Sequence, residues 1–124
     1  MTPFGQKLRS LRAERRVSMK TMAHALGVSA SYLSALEHGR RGPPPFHLVQ
    51  RTLQYFNIIW DDAEELQRLA DLSNPRVSVD TAGLSPVHTR LANLMAEEVA
   101  RLSEDDAQAL LTLLEQLADQ ARTR

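Results

Sequence analysis

The chain has no cysteine, so neither a disulfide framework nor a thiolate metal site can hold it together. That absence is compatible with a reducing cytosol. No stretch approaches the ~20 apolar residues that a membrane-spanning helix needs. The N-terminus lacks a signal-peptide pattern, and the expectation is a cytoplasmic protein. His24, His38, His47 and His88 lack zinc-ligand spacing, and no nearby cysteine or carboxylate completes a set. No nucleophile–base arrangement and no phosphate-cradling glycine loop is present. Enzymatic activity, a metal and a cofactor are therefore not expected.

Net charge is also missing: 15 Lys and Arg balance 15 Asp and Glu. The balance hides a division. Residues 1–60 carry nine basic side chains against Glu14 and Glu37, a surplus of seven positive charges. Residues 61–124 carry six basic against thirteen acidic side chains, a deficit of seven. Opposite halves of this kind point to nucleic-acid contact by the basic one.

The basic half contains the most informative stretch, SMKTMAHALGVSASYLSALEHGRR at residues 18–41. Ser18 can cap a short helix whose inward face is Met22, Ala23 and Leu26. Gly27 falls where a turn requires a left-handed backbone, which glycine adopts at little cost. Val28 plugs the junction, and Ser29 can cap a second helix with Leu33 and Leu36 as its buried stripe. The small Ala23 lets the two helices cross closely. Such a pair reads as a helix-turn-helix, in which the second helix enters the major groove of DNA.

Helical periodicity extends to both sides. Thr2 can cap and Pro3 can start a first helix with Phe4, Leu8 and Leu11 facing inward. The three prolines between His38 and Pro45 stiffen a loop and set the start of a fourth helix. Its expected buried face is Phe46, Val49, Leu53 and Phe56. Asp61 is expected to cap a fifth helix, with Asp62, Glu64 and Glu65 suiting its first turn. Leu66, Leu69, Ala70 and Trp60 are expected to close the core. Residues 74–86 break the pattern and read as a linker, with a short strand over Val77–Val79 considered. Ser85 and Pro86 start a sixth helix bearing Val87, Leu91, Leu94, Met95, Val99 and Leu102. Ser103 and Asp106 resemble a capping box opening a seventh. Leu110, Leu111, Leu113, Leu114 and Leu117 cover more than one stripe of that last helix, so it needs two neighbours.

Residues 3–73 resemble the Xre/Cro–repressor (lambda-repressor-like) helix-turn-helix family. FGQKLRSLRAERRVS is similar to the first helix of that family. LEHGRRGPPPFHLVQRTLQYFNI is similar to its basic loop and fourth helix, and DDAEELQRLADLS to its fifth. The implied fold is all-α: a five-helix DNA-binding domain over residues 1–73, a linker over 74–86 and a helical dimerisation segment over 87–124.

The resemblance places Ser29, Ala30, Ser31, Ser34 and Ala35 at base-reading positions. Ala30 and Ser31 stand where many relatives carry long glutamines, and Met19 also replaces a common glutamine. Alanine can meet a thymine methyl and serine several base edges, so neither dictates one base strongly. Specificity then leans on backbone positioning and DNA deformability. Phosphate contacts are assigned to Lys20, Arg40 and Arg41, with Arg9 and Arg16 as further candidates. Tyr32 is read as a phosphate contact, the alternative being packing against the second helix. Arg12 and Glu37 occupy positions that the family often joins by an ion pair.

The implied function is a sequence-specific transcriptional regulator, a repressor that binds double-stranded DNA as a homodimer through residues 87–121. An antitoxin that autoregulates through the same domain is the alternative. A third reading is an interaction module with a vestigial DNA face, against which Arg40 and Arg41 argue. For residues 87–121 the competing reading is a hairpin folded onto the first domain.

Overall fold

The computed structural model describes residues 1–124, which divide into two units, Met1–Val77 and Ser78–Arg124. The first contains five helices: α1 (Pro3–Glu14), α2 (Met19–Leu26), α3 (Ala30–Glu37), α4 (Phe46–Phe56) and α5 (Trp60–Asp71). All secondary structure in the chain is helical. Thr2, Ser18 and Ser29 cap the first three helices by accepting the backbone N–H of Gly5, Thr21 and Tyr32. Each side chain satisfies one of the donors that a helix start leaves free.

Four of these helices end in the same way. Arg16, Gly27, Gly39 and Asn57 all take left-handed backbone angles, with φ between 53° and 73°. The N–H of the following residue then reaches back to a carbonyl five residues earlier: Val17 to Arg12, Val28 to Ala23, Arg40 to Ala35 and Ile58 to Leu53. This closure satisfies carbonyls that would otherwise lack partners. Glycine and asparagine accept the conformation readily, whereas an arginine does so against its preference.

The core takes Phe4, Leu8 and Leu11 from α1, Met22, Ala23 and Leu26 from α2, and Leu33 and Leu36 from α3. Leu48, Val49 and Phe56 of α4 and Leu66 and Ala70 of α5 complete it. Each fully buried leucine or phenylalanine contributes about 1.5–3 kcal/mol against exposure. Ser73 joins the two ends of the unit: its Oγ accepts the N–H of Phe4 at 2.9 Å and donates to the Leu69 carbonyl.

Several details differ from the expectation. Phe46 is 69% exposed, and α4 buries Leu48, Val49, Thr52 and Phe56 instead. The stretch supports two apolar phases at helical spacing, and packing against α2 and α5 selects the one that contains a threonine. Thr52 enters the core without an unsatisfied hydroxyl because it donates to the Leu48 carbonyl at 2.8 Å. Trp60 is 81% exposed rather than buried, and it begins α5 with a left-handed φ of 57°. The residue before α5 is Ile59, with no side-chain cap, so Asp61 lies inside the first turn and is not the cap. Residues 77–79 form no strand. Side chains of Asn74 and Asp80 instead hold local turns by accepting the N–H of Arg76 and Ala82.

The second unit contains α6 (Pro86–Glu98), a 3-10 turn over Val99–Arg101 and α7 (Glu104–Arg122). Val99 and Leu102 thus fall at and beyond the end of α6 rather than on its face. Ser85 and Ser103 cap α6 and α7. Neither helix contains a buried residue, and the two do not pack along their lengths. α6, with 13 residues, is marginal alone in water.

The closest helix approach in the first unit generates a stability prediction. A methyl group built on buried Gly5 would lie 2.5 Å from the Glu37 carbonyl oxygen and 2.7 Å from its Cα. Backbone on both sides cannot yield cheaply. Gly5→Ala is expected to destabilise by about 1–3 kcal/mol in urea unfolding, although alanine is the better helix former.

Candidate nucleic-acid interface

Gly27 and Val28 fix the angle between α2 and α3, and Leu33 and Leu36 anchor α3 by its inner side, 0% and 2% exposed. The opposite side presents Ala30, Ser31, Ser34 and Ala35, preceded by Ser29. Ser29, Ala30 and Ser31 are exposed, and Ser34 and Ala35 half-buried. A helix face made of such small side chains leaves its backbone close to whatever it docks against.

Glu37 ends α3 with its side chain 2% exposed. Arg12 of α1 reaches it twice, with Nη2 3.4 Å from Oε2 and Nε 3.5 Å from Oε1. The Arg12 side chain remains 23% exposed. The pair ties the far end of α3 to α1 and removes Arg12 from the cations available to a ligand.

Two more arginines are committed in the same way. Arg51 donates to the Leu26 carbonyl at 3.1 Å, capping the C-terminus of α2. Arg15 donates to the Phe56 carbonyl at 3.1 Å, and its guanidinium lies 5.9 Å from the Phe56 ring centroid. A cation at a helix C-terminus is favoured by the helix dipole. Neither contact is visible in the sequence, because the partners are 25 and 41 residues away.

Lys7, Arg9, Arg16, Lys20, Arg40 and Arg41 are the other basic side chains of residues 1–60, and all are exposed. Lys20 is in the first turn of α2, where Ser18 takes the N–H of Thr21 and the N–H groups of Met19 and Lys20 have no partner within the helix. Such a terminus suits an anionic oxygen. The Met19 side chain packs against the core. Gly39 sends Arg40 directly off the end of α3 through the bond to Ala35 at 2.9 Å. The Arg41 guanidinium lies 5.5 Å from the centroid of the Tyr32 ring. Tyr32 is half-buried against the core, so it supports Arg41 from beneath by a cation–π contact. Arg9 stands on α1, and Arg16 occupies the left-handed position after it.

A sequence model of the helix-turn-helix domain family matches residues 3–72. The HTH-type transcriptional repressor RghR of Bacillus subtilis is 34% identical over 61 residues, which cover 49% of this chain and 45% of that protein. The uncharacterized HTH-type transcriptional regulator RghRB of the same organism is 31% identical over 62 residues, covering 50% and 45%. The matched stretch therefore spans less than half the length of these curated relatives. No solved structure matches the chain.

Substitutions at two positions probe the outer shell of cations. Arg16→Gly relieves the left-handed backbone and is expected to stabilise by about 0.5–1 kcal/mol. If Arg16 touches a phosphate, the same variant lowers the slope of log affinity against log salt by about one. Tyr32→Leu removes the ring under Arg41 and is expected to weaken DNA binding about two- to fivefold, the equivalent of an exposed cation–π contact. Tyr32→Phe keeps the ring and should bind normally; a loss there identifies the hydroxyl as a phosphate ligand.

Proposed function

The chain belongs to the helix-turn-helix domain family, and on that footing we propose that it is a sequence-specific transcriptional repressor. It binds a near-palindromic operator as a homodimer and acts by occupying promoter DNA. The observation that carries this reading is the small-residue face of α3 framed by exposed cations. Arg40 and Arg41 stand at its C-terminal end, and Lys20 at the open start of α2. In this reading α3 enters the major groove, where Ser29, Ala30, Ser31, Ser34 and Ala35 meet base edges. Lys20, Arg40 and Arg41 hold phosphates, with Arg9 and Arg16 on the flank. The protein works in the cytoplasm, needs no cofactor and catalyses no reaction.

Small reading residues have a physical consequence. None makes the bidentate contacts by which arginine selects guanine or glutamine selects adenine. Discrimination must come in larger part from the fit of the DNA backbone and from the cost of deforming it. A single domain offers a small readout, and two copies on half-sites about 34–36 Å apart supply the rest. The apolar α6–α7 segment, residues 87–121, supports association of two copies. The same segment would suit an antitoxin, and a toxin gene adjacent to this one would favour that reading.

The test is genome-wide mapping of bound DNA together with affinity measured against salt. A shared palindrome among bound sites supports the repressor reading, and absence of enrichment overturns it. If a dimer neutralises six to ten phosphates, affinity should fall by roughly 10³–10⁵ between 50 and 200 mM salt. A flat salt response would contradict phosphate binding.

A further inference from the structure

The apolar face of α7 is symmetric about Leu114 at its leucine and alanine positions. Counting outward from Leu114 along α7, Leu111 answers Leu117, and Ala107 answers Ala121. All of these fall on one face at helical spacing. The face is uncovered within the unit: Leu110, Leu111, Leu114 and Leu117 are 42%, 50%, 57% and 48% exposed. Charge reverses in the same frame. Glu104, Asp105 and Asp106 occupy the first turn, while Arg122 lies in the last turn and Arg124 just beyond it.

We propose that α7 pairs antiparallel with α7 of a second copy, with Leu114 at the two-fold axis. Asp106 and Arg122 lie at equal distances from Leu114, about 12 Å along the helix, and so do Glu104 and Arg124 about 15 Å from it. At 100° per residue, Glu104 and Arg122 share one flank of the apolar face, while Asp106 lies on the other, where continuing the helical phase past the Thr123 cap also places Arg124. A two-fold axis perpendicular to antiparallel helices keeps each flank on its own side. It therefore places Arg122 beside Glu104 of the second copy and Arg124 beside Asp106, each pair repeated by symmetry. The leucines close together at the centre, and the alanines let the helix ends approach.

Charge selects this arrangement over a parallel one. Parallel, in-register pairing would gather the three first-turn carboxylates of both copies at one end and all four arginines at the other. Antiparallel pairing opposes unlike charges at both ends. Arg122 is free to take part, because its contact with Asp119, 2.9 Å away, joins side chains that are 71% and 80% exposed. Such exposed pairs hold little energy. The inference rests on the dimer of the proposed function and specifies its partner surface and register.

The cysteine-free chain allows a direct test on the full-length protein. Ala107→Cys and Ala121→Cys variants, one of them tagged, are mixed and oxidised. The two positions lie about 21 Å apart within one helix, so a disulfide between them must join two copies. Antiparallel pairing predicts a cross-linked heterodimer on mixing, with little self-cross-linking of either variant. Efficient self-cross-linking of Ala107→Cys would show parallel pairing and overturn the proposal, as would no cross-link at all. Independently, R122E with R124E is expected to weaken dimerisation at least tenfold in sedimentation equilibrium. Adding E104R and D106R to the same chain is expected to restore it. Unchanged dimerisation by the charge variants would overturn the register. If the protein remains a dimer that binds palindromic DNA while these predictions fail, the register is wrong and the repressor reading survives. If no DNA is bound although α7 cross-links as predicted, the repressor reading fails alone.

Discussion

Glu37 is the acidic side chain that the first unit takes out of water, and the position of α3 follows from how α1 meets it. Arg12 approaches the carboxylate from one side of the seam, while Gly5 lets the backbone of α1 approach the backbone of Glu37. A buried ion pair adds little net stability compared with apolar packing, but leaving one member unpaired is costly. The contact therefore acts as a constraint on geometry. Only one placement of α3 satisfies the carboxylate and the close helix crossing together. The surface that α3 shows to solvent is settled by what it hides.

The same economy governs the helix ends. α2 and α3 have eight residues each, too few to persist alone. Serine caps begin them and left-handed glycines close them. Arg51 adds a cation to the carbonyl end of α2, as Arg15 does for α4. Half-to-half charge asymmetry overstates the free positive surface for this reason, since three of the nine cations hold the fold. The remaining six are not tied to a fold carboxylate or carbonyl, and Arg41 has its place prepared by Tyr32.

Most helix caps, whose partners lie within about four residues, were legible, the start of α5 at Ile59 rather than Asp61 being the exception. Thr2, Ser18, Ser29, Ser85 and Ser103 all cap the helices that their sequence context announces. The glycine turn and the inward faces of α1, α2 and α3 were equally readable. The phase of α4 was not, because Phe46 and Thr52 fit two helical stripes and hydrophobicity alone prefers the phenylalanine. Trp60 was misplaced because its size suggests burial, whereas it stands exposed at the start of α5. Gly5 drew no attention in the sequence because its neighbour, Glu37, is remote along the chain.

By itself the sequence determined an all-helical chain with a helix-turn-helix near its N-terminus, small residues on the outer face of α3 and an apolar C-terminal segment. Those properties come from capping, periodicity and glycine conformation, which act over one or two turns. Tertiary structure alone decided which arginines are tied to a distant carboxylate or carbonyl, which face of α4 is buried and why Gly5 must be glycine. Each of these depends on groups brought together from distant parts of the chain, and no pattern in the intervening residues records their distance in space.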